Sequence, residues 1–208
     1  MKNTAFILLL ISMVLVSCGT NEPYAKYKYN SNPDYTWGYV EFFGAYYSDY
    51  GIPNNVISLS LFSDSLFVNA AGELDGTGQY LFIEDLFLSP TDTILPVGKY
   101  NVGENGDAFT FYRGEKKDVD EVKYTIGAYI YYIENNSAFS TFKLIDRGSF
   151  TVNNIGSNQK VVCNFVLSDS TVLKGIFNTK LPYVDRSLSA SSKTPRKKLA
   201  LKYPITQF

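Results

Sequence analysis

Val161-Val162-Cys163-Asn164-Phe165-Val166-Leu167, followed by Ser168-Asp169-Ser170-Thr171, decides the fold class of this chain. Val161, Cys163, Phe165 and Leu167 fall on one side of an extended backbone, which is the two-residue period of a half-buried strand. The Ser-Asp-Ser that closes the run reads as a turn, because these side chains bond nearby backbone amides. The pattern repeats along the chain: Ile57, Leu59 and Leu61 line one face, and Tyr124, Ile126, Ala128, Ile130 and Tyr132 another. Helical spacing is absent over any comparable length. Turn signals at 63–65, 105–107, 135–137, 153–158 and 168–170 separate the runs, so neighbouring strands are expected to pair as antiparallel hairpins. Strands are expected near 37–47, 55–62, 65–70, 79–88, 98–103, 108–113, 123–133, 139–145, 148–153, 159–167 and 171–178. The expected fold is all-β, an antiparallel β-sandwich or a meander (calycin-like) barrel of about ten strands, and the pattern leaves both open.

The first residues follow a different logic. Lys2 supplies a positive start, Ala5 to Val16 are apolar apart from Ser12, and small residues then precede a cysteine, which is the layout of a secretory signal. The apolar run falls short of the roughly 20 residues a spanning helix needs. Leu15-Val16-Ser17-Cys18 resembles the lipobox of bacterial lipoproteins. That resemblance implies cleavage after residue 17, a lipid on Cys18, and attachment to the outer membrane of a cell envelope, on either its periplasmic or its surface face. Each buried methylene contributes about 0.8 kcal/mol, so two or three acyl chains such as palmitate hold a protein without a transmembrane helix. The organisation expected is a signal peptide over 1–17, a lipidated tether over 18–35, a β-rich domain over 36–183 and a basic flexible tail over 184–208.

Composition bounds the function. Aromatic residues make up 16% of the chain against 19% charged, which describes a folded body and excludes disorder. Six basic residues and no acid follow Asp185, so residues 18–185 carry a net charge of −8. An acidic body argues against nucleic acid as a partner. The chain has no histidine, which removes the commonest general base, the Ser-His and Cys-His pairs, and histidine-ligated zinc. With Cys18 lipidated, Cys163 is left without a disulfide partner, and its place in an apolar alternation makes it a core thiol. Asp118, Asp120 and Glu121 lack the ladder of a calcium loop and read as a solvated charge run. No cofactor or metal is expected.

Gly78 to Phe87, Leu95-Pro96-Val97-Gly98-Lys99-Tyr100, Phe109 to Arg113, Gly148 to Val152 and Gly175-Ile176-Phe177 together resemble an uncharacterised lipoprotein family of Bacteroidetes. The resemblance covers roughly residues 75–178 and is one of cadence. It implies a β-rich, envelope-exposed protein and supplies no catalytic residue.

Carboxylates remain as the available catalytic groups. Glu84, Asp85, Glu134 and Asp146 lie closest to apolar segments, but alternation sends Glu84 and Asp85 to opposite faces of their strand, so no pair is expected and no catalytic residue is assigned. Tyrosine and tryptophan are the more unusual feature. They supply flat, amphipathic area suited to sugar rings and protein partners, and Trp37, Tyr39 and Tyr131 are the candidate ligand-binding residues. The leading expectation is a non-catalytic binding or interaction domain for a glycan or an envelope protein. The alternatives are a pilus or adhesin subunit assembled by strand addition and a carboxylate-dependent glycan hydrolase.

Overall fold

The computed structural model describes residues 28–63, 65–119, 122–133, 140–188, 196 and 198–201. Within them lie sixteen strands: β1 (Asp34–Gly44), β2 (Asn55–Ser63), β3 (Phe67–Val68), β4 (Glu73–Asp75), β5 (Gln79–Leu88), β6 (Gly98–Val102), β7 (Thr110–Phe111), β8 (Glu115–Val119), β9 (Val122–Ile126), β10 (Ala128–Ile133), β11 (Ser140–Ile155), β12 (Asn158–Leu167), β13 (Val172–Leu173), β14 (Ile176–Thr179), β15 (Tyr183–Asp185) and β16 (Ala200–Leu201). One 3₁₀ turn, Ser48–Tyr50, follows β1.

The ladders close on themselves. β1 pairs with β2, β2 with β5, β5 with β10, β10 with β11, β11 with β12 and β12 with β14, all antiparallel, and β14 returns to β1. The last pair is parallel. That follows from number: seven strands running alternately up and down leave the first and last pointing the same way. A closed ring of this kind is a meander barrel, and closure removes the exposed edges an open sandwich would keep. The short β6 and β7 fill the wall where β10 stops, β7 beside Leu86 and Phe87 of β5 and β6 beside Ser149 to Val152 of β11. β15 continues the line of β14 along β1, pairing Val40 to Phe42 with Tyr183 to Asp185, so the barrel runs two residues past the expected boundary at 183.

Alternation fills the interior. Ile57, Leu59 and Leu61, then Leu81, Ile83, Leu86 and Leu88, Ala128 and Ile130, Phe150 and Val152, and Val161, Cys163, Phe165 and Leu167 belong to one buried cluster. Tyr100 stacks on Phe150 with ring centroids 4.8 Å apart, and Phe111 touches both Phe150 and Phe165. The barrel is therefore a packed core, with each fully buried leucine or phenylalanine contributing about 1.5–3 kcal/mol. Cys163 sits inside it as expected, and burial pushes its thiol well above the ordinary range.

Several expected strands differ in extent, and 171–178 divides into β13 and β14. The run 123–133 breaks at Gly127, whose φ of +75° and close approach to the carbonyl oxygen of Arg113 suit only glycine. Before the break β9 leaves the barrel and pairs with β8 as a ribbon, with Tyr124 half exposed on it. The segments 139–145 and 148–153 are instead one strand, β11, with a register shift at Ile145–Arg147 that absorbs an extra residue.

Candidate binding site on the outer wall of the barrel

Outward-facing residues of β1, β2, β5 and β10 line up across the strands in rows. The lowest row is Trp37, Phe62, Tyr80 and Tyr131, each opposite the next in register. Trp37 stacks on Phe62 at 3.8 Å with planes 10° apart, and Phe62 on Tyr80 at 4.5 Å with planes 4° apart. The next row is Tyr39, Ser60, Phe82 and Tyr129, with Ser60 Oγ 3.1 Å from the Tyr80 hydroxyl. Above it the wall turns acidic with Glu41, Ser58, Glu84 and Asp85.

A bulge builds the acidic row. The inward residues of β5 step from Ile83 to Leu86, three positions instead of two, and β2 slips in register between Ile57 and Leu59. Glu84 and Asp85 thus both face outward. The expectation that alternation separates them is corrected: the inserted residue breaks the period.

Cations from the C-terminal segment meet this pair. Arg196 donates to the Asp85 carboxylate and, at 2.9 Å, to the main-chain oxygen of Glu84. Its guanidinium lies 4.9 Å from the Phe43 ring and 4.7 Å from the Tyr46 ring. Lys198 donates to Glu84 Oε2 at 3.0 Å and to the Thr125 carbonyl, near the Phe82 and Tyr129 rings. Glu84 Oε2 also accepts the Gly127 amide at 3.1 Å, and Tyr47 donates its hydroxyl to Asp85 at 3.1 Å. Burial holds the Asp85 carboxyl above its usual range, outweighing the pull of Arg196 in the other direction. Burial likewise raises Tyr47, with the Asp85 charge adding to it. For Arg196 burial opposes ionisation, but the charge of Asp85 overrides it and the guanidinium stays firmly protonated.

Further down, Leu199 and Leu201 pack on the aromatic rows, and β16 pairs in parallel with β4, Ala200 opposite Glu73 and Leu201 opposite Leu74. The basic segment expected to be a flexible tail is therefore docked at Arg196 and Lys198–Leu201, because its charges neutralise the two carboxylates of the bulge. Residues 189–195 and 202–208 lie outside the described residues.

Beside this cluster opens a cavity of about 510 Å³. Tyr47, Glu84, Asp85, Tyr112, Arg113 and Glu115 are among its walls. The β8–β9 ribbon forms one side of it through Glu115, Lys117 and Ile126. Burial, followed by the Asp85 charge, raises the Tyr112 hydroxyl above its ordinary range.

No protein-family model, curated protein or solved structure matches this chain. The site is thus read from its own residues. The three candidates Trp37, Tyr39 and Tyr131 are brought together, all in the aromatic rows. There they act as packing: Tyr131 is 1% exposed, and the Trp37 indole donates to the Leu66 carbonyl at 2.9 Å. Asp146 stands apart, paired with Arg147 at 3.0 Å on the surface. Cys18, Glu134, Asp120 and Glu121 fall outside the described residues. Sequence reasoning missed Tyr112 and Arg113 and left Arg196 and Lys198 in a flexible tail. The signal for the last two was the contrast between an acidic body and a wholly basic C-terminal stretch.

Proposed function

We propose that this chain is an envelope lipoprotein, held to the outer membrane by a lipid on Cys18, whose barrel binds a glycan without cleaving it. The observation that carries the reading is the cavity of about 510 Å³ walled by Tyr47, Tyr112 and a set of charged hydrogen-bonding side chains. Tyrosine rings offer flat faces for sugar rings, and carboxylates with a guanidinium beside them offer acceptors and donors for hydroxyl groups. A packed interior supports the outer wall as the binding surface, because no ligand fits among Phe111, Phe150 and Phe165. The engagement of Asp85 Oδ1 by both Arg196 and Tyr47 supports a non-catalytic role, since that oxygen is already committed.

Two experiments test this. The mature chain with Cys18→Ser is run through gels containing soluble envelope and plant polysaccharides, with released reducing ends measured in parallel. Retardation that weakens about tenfold in Tyr112→Ala, with no product released, is expected for a sugar stacked on one ring. Unchanged retardation in that variant, or turnover lost in Asp85→Asn, refutes the reading. Lipidation is read by labelled fatty acid incorporated into the full chain and absent from Cys18→Ser.

A further inference from the structure

The outer wall and the segment lying on it change chemistry in step. Leu201 and Leu199 lie over the aromatic rows, Lys198 over Phe82 and Tyr129 beside Glu84, and Arg196 over the bulge at Asp85. The niche around Arg196 is built wholly by the barrel: Phe43 belongs to β1, Tyr46 and Tyr47 follow it, and the Glu84 carbonyl and Asp85 come from β5. Its occupant arrives from 111 residues further along the chain. Among the described residues, Arg196 and Lys198 are the cations within ion-pair distance of Glu84 and Asp85. Without them, two adjacent carboxylates stand in a largely desolvated niche, with Asp85 only 5% exposed. Such a niche selects a guanidinium that lies against two rings and reaches a carboxylate, with an ammonium two residues on.

The segment's other hold is narrow. β16 meets β4 over two residues, and Leu188, where the described chain leaves the barrel, is fully exposed. Whatever this segment contacts on its own barrel, it contacts identically on another. Exchange between copies therefore sacrifices no interaction and is set by protein concentration against the effective concentration at which each chain holds its own segment. We propose that the Phe43–Tyr46–Asp85 niche is an arginine-recognition site that accepts residues 196–201 of a second copy, so that this segment joins barrels. The niche shares Tyr47, Glu84 and Asp85 with the wall of the open cavity, but the inference rests on the contacts under the segment and holds whether or not the cavity takes a glycan.

The test uses two full-length variants. A host, Arg196→Ala with Lys198→Ala, keeps the niche and loses the key. A donor, Glu84→Gln with Asp85→Asn, keeps the key and loses the niche. Each alone is expected to be monomeric by size exclusion with light scattering, and an equimolar mixture is expected to form a one-to-one dimer. A labelled synthetic peptide of residues 194–203 is expected to bind the host, at least about tenfold more weakly when its arginine is alanine, as for loss of a charge-assisted pair. A mixture that stays monomeric while both circular dichroism spectra are native overturns the proposal, as does equal binding of the two peptides. Should the host fail to fold, the wild-type chain decides. Excess peptide is then expected to take the niche and expose the chain's own Arg196 and Lys198 to trypsin, and continued protection overturns the proposal.

Discussion

Replacing Arg196 by alanine puts the outer-wall interactions to their most direct test. The side chains of Arg196 and Asp85 are 10% and 7% exposed, so the variant leaves a nearly dry carboxylate facing no guanidinium. Breaking a buried pair in this way costs about 3–5 kcal/mol if nothing moves. What would hold the segment in place is Lys198 on Glu84 and the half-buried Leu199 and Leu201, whose burial contributes about 1–2 kcal/mol together. The penalty exceeds the hold. The segment is therefore expected to lift and let water reach Asp85, and the net loss is limited to what docking contributed, about 2 kcal/mol including the contact of the guanidinium with its rings. Urea denaturation at pH 7 reads this as a lower midpoint. The pH dependence has a definite sign. The Asp85 carboxyl already sits above its usual range because burial outweighs Arg196. An acid raised on folding favours the native state most below its unfolded value of about 3.9, and that contribution is lost as pH rises through the folded value. With the segment lifted and Asp85 wetted in Arg196→Ala, that contribution belongs to the intact chain alone, so the deficit is expected to widen between pH 7 and pH 4. A deficit below about 0.5 kcal/mol at pH 7, within the noise of surface substitutions, refutes the account, as does one that shrinks on acidification.

Other perturbations address separate features. Gly127→Ala forces a Cβ onto the Arg113 carbonyl at a φ of +75° and is expected to cost about 3 kcal/mol or more in thermal or urea unfolding, with Gly51→Ala, which has open space around it, as the milder control. Trp37 is the single tryptophan and packs in the cluster that Leu199 and Leu201 cover, so its emission is expected to shift to longer wavelength in Arg196→Ala as the segment lifts. Asp169 is held at about 2, with burial opposing and hydrogen bonds from Lys143 and Thr171 prevailing. The stability it adds is present above the ordinary carboxylate value and is lost as pH falls toward about 2, so Asp169→Asn is expected to flatten the acid limb of a stability–pH curve.

Much of the barrel was legible because its strands obey the period of two. β5 spans the expected 79–88, and the inward residues of β2 and β12 are those the alternation selects. Closure was not legible, since each hairpin looks the same in a sandwich and in a ring. The site was hidden by two departures from local rules. At Glu84–Asp85 an inserted residue overrides alternation, and the only trace in sequence is the three-residue step from Ile83 to Leu86. In the C-terminal segment, charge and proline content argue for solvent, whereas the partner that orders it lies more than a hundred residues away and is invisible to any local window.

The odd number of strands in the ring has a directional consequence. In an even meander the chain would enter and leave at the same end of the barrel. Here β1 enters at Asp34 and the chain leaves after Asp185, beside Phe42, at the opposite end. The acidic bulge lies level with Glu41, seven residues up β1 from its start, or roughly 20 Å along the wall. On the proposed lipid anchor at Cys18, Tyr47, Tyr112 and the Arg196 niche would stand toward the pole of the barrel opposite Asp34. From there residues 196–201 run back toward the base like a mooring line.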